Sequence, residues 1–341
     1  MSRDTLSDVL RSVRLRSAVF YVVSGDRNWA AEAPASGAIA AAVLPGAERV
    51  IEYHVVTAGE CWVAIVGEAP LKLGQGDVVL LPQGDPHVVS SAPGLRAAPD
   101  VGAYFAMPRD ERPFRLHYAG GAGTALRCAD APAASGTSLV CGFIGCDARP
   151  FNPLLATLPR LMVLPARRAG PWSAQLAQLA AEETIARRAG SEALLERLSE
   201  MMFIDAIRKH AESMPDEATG WLAGLRDRFV GPALALLHGA PGAAWTMDEL
   251  GSRVGLSRSA LHKRFTDLIG QPPMQYLAQW RMQVASRLLL ETHSSVASIA
   301  LDVGYDSEAA FVRAFKRVVG LPPATWRRDH GKPGPARVAD S

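Results

Sequence analysis

Cysteine is scarce in this sequence. There are four in 341 residues, Cys61, Cys128, Cys141 and Cys146. So few in a chain this long do not make a disulfide framework. Their spacing contains neither a CxxC pair nor a zinc-finger interval. Small buried hydrophobes are the default reading; a zinc site joining Cys128 or Cys141 to a histidine, and a thiol redox sensor, stay open. Long apolar runs are missing too: no stretch reaches the roughly 18 residues that a membrane span needs. The opening Met1-Ser2-Arg3-Asp4 is polar and lacks the apolar core of a signal peptide. A cytoplasmic, reducing location with no membrane partner is the expectation. Charge of one sign is also missing, the formal net charge being +2. No arranged set of acid, base and nucleophile stands out, which counts against an enzyme.

What is present is a long, apolar-rich chain. Hydrophobic residues make up 48%, enough for a sizeable core and for two or three domains. Residues 221–330 hold 13 Lys/Arg against 9 Asp/Glu, a mild basic excess compatible with phosphate contacts. This same segment repeats itself. Ser257, Leu261, Phe265, Gly270, Pro272, Pro273 and Tyr276 fall 50 positions before Ser307, Phe311, Phe315, Gly320, Pro322, Pro323 and Trp326. Ahead of the turn the offset is 49, from Leu250 to Ile299 and from Val254 to Val303. An internal duplication is a strong architectural signal.

Each copy reads as helix, tight turn, helix. In the first, Thr246 followed by Glu249 makes a capping box, Gly255 supplies the turn, and Ser257 caps a second helix. Leu261, Phe265 and Leu268 recur at helical spacing and face inward. Arg258, Ser259, His262, Lys263 and Thr266 are left outward. In the second copy Phe311, Phe315 and Val318 face inward, and Glu308, Ala309, Val312, Arg313 and Lys316 lie on or near the outer side. A short, polar, partly basic outer face suits a major groove.

These residues, together with Trp245 to Leu250, Gly270 to Leu277, Arg281-Met282, Ile299-Ala300 and Gly304-Tyr305, resemble the DNA-binding domain of the AraC family of bacterial transcriptional regulators. The resemblance covers roughly 110 residues. It implies double-stranded DNA as partner, with reading helices over about 257–268 and 307–318 entering successive major grooves. It implies base-facing positions at Ser259, His262 and Lys263 in the first helix and at Glu308 and Ala309 in the second. Arg313 is expected at a base edge, since arginine pairs bidentately with guanine. Arg258, Arg264, Arg281, Lys316 and Arg317 are expected to meet phosphates or support the fold, while Ser257 and Ser307 cap the reading helices.

The first half of the chain has a different grammar. Asp4 to Val13 reads as a short helix. After it come short strand-like runs separated by Gly and Pro: 19–23, 51–56, 61–66, 71–73, 78–81 and 87–90. Such spacing suggests a sandwich or barrel, a jelly roll being one candidate. His54-x-Val56-x3-Glu60-x6-Gly67 and Gly76-x5-Pro82-x-Gly84-x2-His87 resemble the two motifs of cupin jelly rolls, with Val56 and Ser91 where metal cupins often carry further ligands. The expected geometry is a hairpin that brings His54 and Glu60 together inside the barrel, with His87 approaching from another strand. By that resemblance His54, Glu60, Trp62 and His87 line an effector pocket. A divalent metal such as iron or manganese on His54, Glu60 and His87 is the less favoured alternative, and no cofactor is expected. Residues 91–115 read as a loop over the barrel, and Cys141 and Cys146 as a strand pair.

The expected class is therefore α+β with two domains. A cupin-like β jelly-roll sensor spans 1–165. A helical pair over 166–212 packs on the sensor or pairs two copies as a homodimer. A linker covers 213–220, an all-α AraC-type domain of two helix-turn-helix units covers 221–330, and a disordered tail ends the chain at 331–341. The resemblance implies a transcription regulator responding to a small-molecule effector, with RNA polymerase as a further partner. A metal-dependent cupin enzyme fused to a DNA-binding domain and a redox-sensing regulator are the alternatives.

Overall fold

The computed structural model describes residues 4–330 except 14, 107–113, 119–125, 129–135, 147–149, 168–174, 177, 181, 184, 185 and 187. The tail 331–341 lies outside the described residues. The chain divides into two compact units. One comprises Met1–Val13, Ala148–Thr157 and Pro215–Ser341; the other comprises Arg14–Asp147 and Leu158–Met214. Residues 1–13 and 148–157 are thus grouped with the C-terminal helices. Helix α1 (Thr5–Ser12) buries Val9 and Leu10 within the helical unit. Asp4 caps it, its carboxylate accepting from the Ser7 amide at 3.1 Å.

Among the described residues the second unit has eleven strands: β1 (Arg16–Gly25), β2 (Ala30–Ala33), β3 (Arg49–Ala58), β4 (Glu60–Ile65), β5 (Leu71–Gly74), β6 (Val78–Leu81), β7 (His87–Ser90), β8 (Phe114–Tyr118), β9 (Leu126–Cys128), β10 (Thr137–Cys146) and β11 (Met162–Leu164). They form two sheets rather than a closed barrel. A seven-stranded sheet has the order β11-β6-β3-β10-β1-β8-β9, and a four-stranded sheet the order β2-β7-β4-β5. Tyr21, Val56, Val79, Leu139 and Phe143 from the first join Cys61, Val63, Ile65, Leu73 and Val89 from the second in one core. Strand β3 is buried on both faces, so neither face is marked out as the solvent side. Glu52, His54 and Val56 share one face by the two-residue period, while Tyr53 on the other bonds Ser199 at 2.7 Å. Cys141 and Cys146 lie on the single strand β10, not on a strand pair.

The short helices α2 (Ser36–Val43) and α3 (Val101–Ala106) also belong to this unit. The second lies in the stretch read as loop. Helix α4 (Ser191–Ser213) follows Gly190, which adopts φ +87 at its start. Its stripe of Leu195, Leu198, Met202, Phe203, Ala206 and Ile207 is buried, and it packs on β1, β10 and β11. The apolar stripe thus has an intramolecular role.

The helical unit continues with α5 (Trp221–Arg226), α6 (Val230–Gly239), α7 (Met247–Val254), α8 (Arg258–Ile269), α9 (Pro273–Glu291), α10 (Val296–Asp302), α11 (Glu308–Val319) and α12 (Pro323–His330). The pairs α7/α8 and α10/α11 are the two helix-turn-helix units, and α9 joins them. Met282, Ala285 and Leu289 of α9 pack with Ile299, Phe311, Phe315 and Trp326. Tyr276 of the same helix anchors its start: its hydroxyl accepts from Trp221 Nε1 and bonds His238 Nε2, both at 2.7 Å.

Candidate functional site

Both reading helices begin on a serine that does what the sequence implies. Ser257 Oγ accepts from the Ala260 amide and Ser307 Oγ from the Ala310 amide, each at 3.3 Å. These caps satisfy amides that a helix start leaves unpaired. Each helix ends on a left-handed glycine, Gly270 at φ +83 and Gly320 at φ +87. Leu261 and Phe265, and likewise Phe311 and Phe315, are fully buried. That fixes which side remains outside: Arg258, Ser259, His262, Lys263 and Arg264 on α8, and Glu308, Ala309, Arg313, Lys316 and Arg317 on α11, are all exposed.

The basic residues of these faces are not equivalent. Arg313 has no hydrogen bond or ion pair among the described residues, so its guanidinium is not committed to the fold. Lys263 pairs with Asp267 at 2.6 Å and Arg258 with Asp248 at 3.5 Å. Exposed pairs of this kind are weak and open readily to a phosphate. Arg264 and Arg281 are committed to the fold. Arg264 forks onto Asp227 with contacts of 2.5 to 3.0 Å, and Asp227 also accepts the amides of Phe229 and Val230 at 2.9 Å. Arg281 donates to the carbonyls of Pro241, Ala243 and Gly304 at 2.7, 2.8 and 3.2 Å. Of the two roles expected for these arginines, support of the fold is the one their contacts show.

The sheet unit holds a partly open chamber of about 280 Å³. Its walls are aromatic, from Tyr21, Trp29, Tyr104, Tyr118 and Phe143, and its polar lining includes Glu52, His54 and His87. His54 and His87 enter the chamber as expected. Glu60 and Trp62 do not. Consecutive strands β3 and β4 belong to different sheets, so no hairpin joins His54 to Glu60. Along β4, Cys61, Val63 and Ile65 point inward. Glu60 is exposed and pairs with Lys72 at 2.8 Å, and Trp62 shares that outer side. The acid beside the histidines is Glu52, which the sequence reading missed. A signal existed, because Glu52 stands two residues before His54 and so on its face of β3. Trp29 and Tyr104 had none, since both lie in segments without visible periodicity.

The three polar groups are buried and close together. His54 Nε2 and His87 Nε2 are 2.6 Å apart, and His87 Nε2 lies 3.7 Å from Glu52 Oε2. One ligand atom from each of the three lies within 4.8 Å of the others. Burial pushes the Glu52 carboxyl up to about 8. It pulls His87 down to about 4, and His54 well below its usual value with help from His87. Burial thus favours the neutral form of all three groups. Cys141 stands opposite His54 in the ladder. Burial raises its thiol, and it pushes the Cys61 thiol up to about 12. Neither offers the thiolate that a redox sensor needs. The side chain of Cys128 lies outside the described residues.

Sequence comparison agrees with this architecture. A family model described as Cupin matches residues 4–212, and one described as Helix-turn-helix domain matches 250–329. A putative AraC-like transcription regulator of Streptomyces lividans is 32% identical over 327 residues, 95% of this chain and 98% of the relative. Its counterpart in Streptomyces antibioticus is 33% identical over 328 residues with the same shares. The HTH-type transcriptional regulator AlkR of Acinetobacter baylyi is 26% identical over 335 residues, 95% of this chain and 99% of the relative. The likeness runs through both units, and both reading helices present polar faces held by buried ones, so the chain belongs to the AraC-like transcription regulators, as a DNA-binding protein with an N-terminal cupin domain.

Proposed function

We propose that this regulator's hold on its DNA site answers to a small molecule bound in the chamber of the cupin domain. The observation that carries the proposal is the chamber itself. Aromatic walls around a few buried polar groups are the usual make-up of a small-molecule site, and this one shares a chain with a two-part DNA reader. The effector would act by binding one state of the protein more tightly than another. Ser259, His262, Lys263, Glu308, Ala309 and Arg313 would read bases. Arg258, Lys316 and Arg317 would meet phosphates. A homodimer, contact with RNA polymerase and a cytoplasmic location complete the proposal. Among the described residues, no helix is long and apolar enough to cross a membrane. The relatives are named as regulators, and the proposal includes no catalytic step.

The test is a binding-site selection with full-length protein at stated salt. Small molecules are then screened for their effect on affinity for the selected DNA. Two half-sites about one helical turn apart, and at least one compound that changes affinity in wild type but not in Tyr104→Ala, are expected. No sequence preference, or compounds acting equally on Tyr104→Ala, would count against the proposal.

A further inference from the structure

We propose that Glu52, His54 and His87 hold one divalent first-row transition ion whose open coordination positions face the chamber and receive a donor group of the effector. The proposal rests on the effector reading for that last clause only. The ligand set differs from the one the cupin motifs imply, because Glu60 is outside and Glu52 takes its place.

Four observations on the trio support it. First, the three side chains come from two strands in different sheets, yet their ligand atoms converge within 4.8 Å. Atoms bound to one such ion at about 2.0–2.2 Å lie up to roughly 4 Å apart, so side-chain rotation alone brings them onto one ion. Second, His87 Nδ1 lies 3.1 Å from the carbonyl oxygen of Asp85. A carbonyl only accepts, so Nδ1 carries the hydrogen and Nε2 presents a bare lone pair to the cluster. A backbone carbonyl behind a ring nitrogen is the outer support that metal-binding histidines commonly have.

Third, the cluster is not self-sufficient. With His87 Nε2 an acceptor, His54 Nε2 must be the donor in their 2.6 Å contact. That leaves His54 Nδ1 a second bare acceptor, and neither it nor Glu52 Oε1 has a partner among the described residues. Buried polar atoms are normally paired, and a divalent ion would take up the lone pairs left over here once the Glu52 carboxyl gives up its proton. Fourth, all three residues line the chamber, so the positions they leave open face the space a small molecule would fill. Two imidazoles and one carboxylate suit zinc, iron and their neighbours rather than magnesium or calcium, and a three-ligand site keeps an open position by construction.

The test uses full-length protein, stripped with a chelator and returned to chelator-free buffer. Zn(II) alone is titrated by calorimetry and Co(II) alone by visible absorption. One ion per chain is expected, with Co(II) bands of a nitrogen and oxygen site. Glu52→Gln, nearly isosteric, should weaken uptake at least about 100-fold, beyond what loss of an outer partner gives. Glu60→Gln should leave uptake unchanged. His87→Ala should behave as Glu52→Gln where its melting temperature shows it folded. Failure of wild type to take up one ion, or unchanged uptake by Glu52→Gln, overturns the site. An effector that shifts DNA affinity equally with and without the ion overturns the ion's role in effector binding while the effector reading stands. One bound ion, with no compound that alters DNA affinity, keeps the site and removes the effector reading.

Discussion

Arg313 and Arg281 sit on neighbouring helices of one domain, and their surroundings give them opposite tasks. Arg313 is exposed and without an internal partner among the described residues. Arg313→Ala should leave the melting temperature in place, cost about 1–3 kcal/mol of DNA affinity and relax selection at one base pair. A binding-site selection that returned the wild-type consensus unchanged would remove Arg313 from the reading face. Arg281 donates to three backbone carbonyls. Arg281→Ala should strip those acceptors of partners and destabilise the helical unit by about 2 kcal/mol or more, seen as a lower thermal midpoint. The sequence offered both as basic residues near the DNA and could not separate them, because the separation depends on carbonyls 23 to 40 residues away. Glu52 and Glu60 teach the same lesson. Motif spacing favoured Glu60 on the assumption that consecutive strands pair. Strand alternation alone would have picked Glu52, but β3 is buried on both faces, so burial does not single out the face that Glu52 shares with His54.

The helix-turn-helix was the most legible element, since nearly every device that defines it is local. Thr246, Ser257, Ser295 and Ser307 all cap the helices that follow them. Of the capping box, the Thr246 half forms at 3.1 Å, while Glu249 turns its carboxylate to Arg253 at 3.2 Å. The duplicated turn glycines show where local reasoning stops. Gly255 and Gly304 occupy matching places with φ of +77 and +83. A side chain at Gly255 would enter open space, whereas a Cβ at Gly304 would lie 2.7 Å from the Gly242 carbonyl oxygen and from Arg281 Nη2. Gly255→Ala should therefore cost only the left-handed backbone term, about 1–2 kcal/mol. Gly304→Ala adds a clash with backbone and should cost roughly 2–5 kcal/mol in total. Chemical denaturation of the two variants checks the ranking, and equal costs would mean that the second turn relaxes freely.

At the scale of the whole molecule, chain order and spatial order part company. The DNA-binding unit recruits α1 and residues 148–157, which no local pattern reveals because their place depends on a distant partner. That partner is Gln283 on α9, nearly fully buried. Its side-chain amide donates to the Ser12 carbonyl at 2.9 Å, and its oxygen accepts from the Phe151 amide at 3.1 Å. One residue thus ties three remote segments. Gln283→Leu keeps the bulk and takes this partner from the buried Ser12 carbonyl and the part-buried Phe151 amide, so it should destabilise the unit by about 2–4 kcal/mol. An unchanged urea midpoint would show that those groups find other partners.

Helix α9 also sets the distance between the two readers. At 1.5 Å per residue its 19 residues give a rod roughly 28 Å long, close to the roughly 34 Å that separates successive major grooves on one DNA face. Because α9 packs against both halves through its buried residues, the spacing is rigid rather than adjustable. The two readers then act as linked modules, each raising the other's effective concentration only when their sites share a face. Inserting about five base pairs between the two half-sites turns the second half-site to the opposite face. Affinity should fall by about 100-fold or more, towards that of a lone half-site, and inserting about ten should not restore it, because the rod cannot lengthen. Fluorescence anisotropy on the three DNAs measures this directly. Equal affinity for all three would mean that a single helix-turn-helix unit carries binding and that α9 is no ruler.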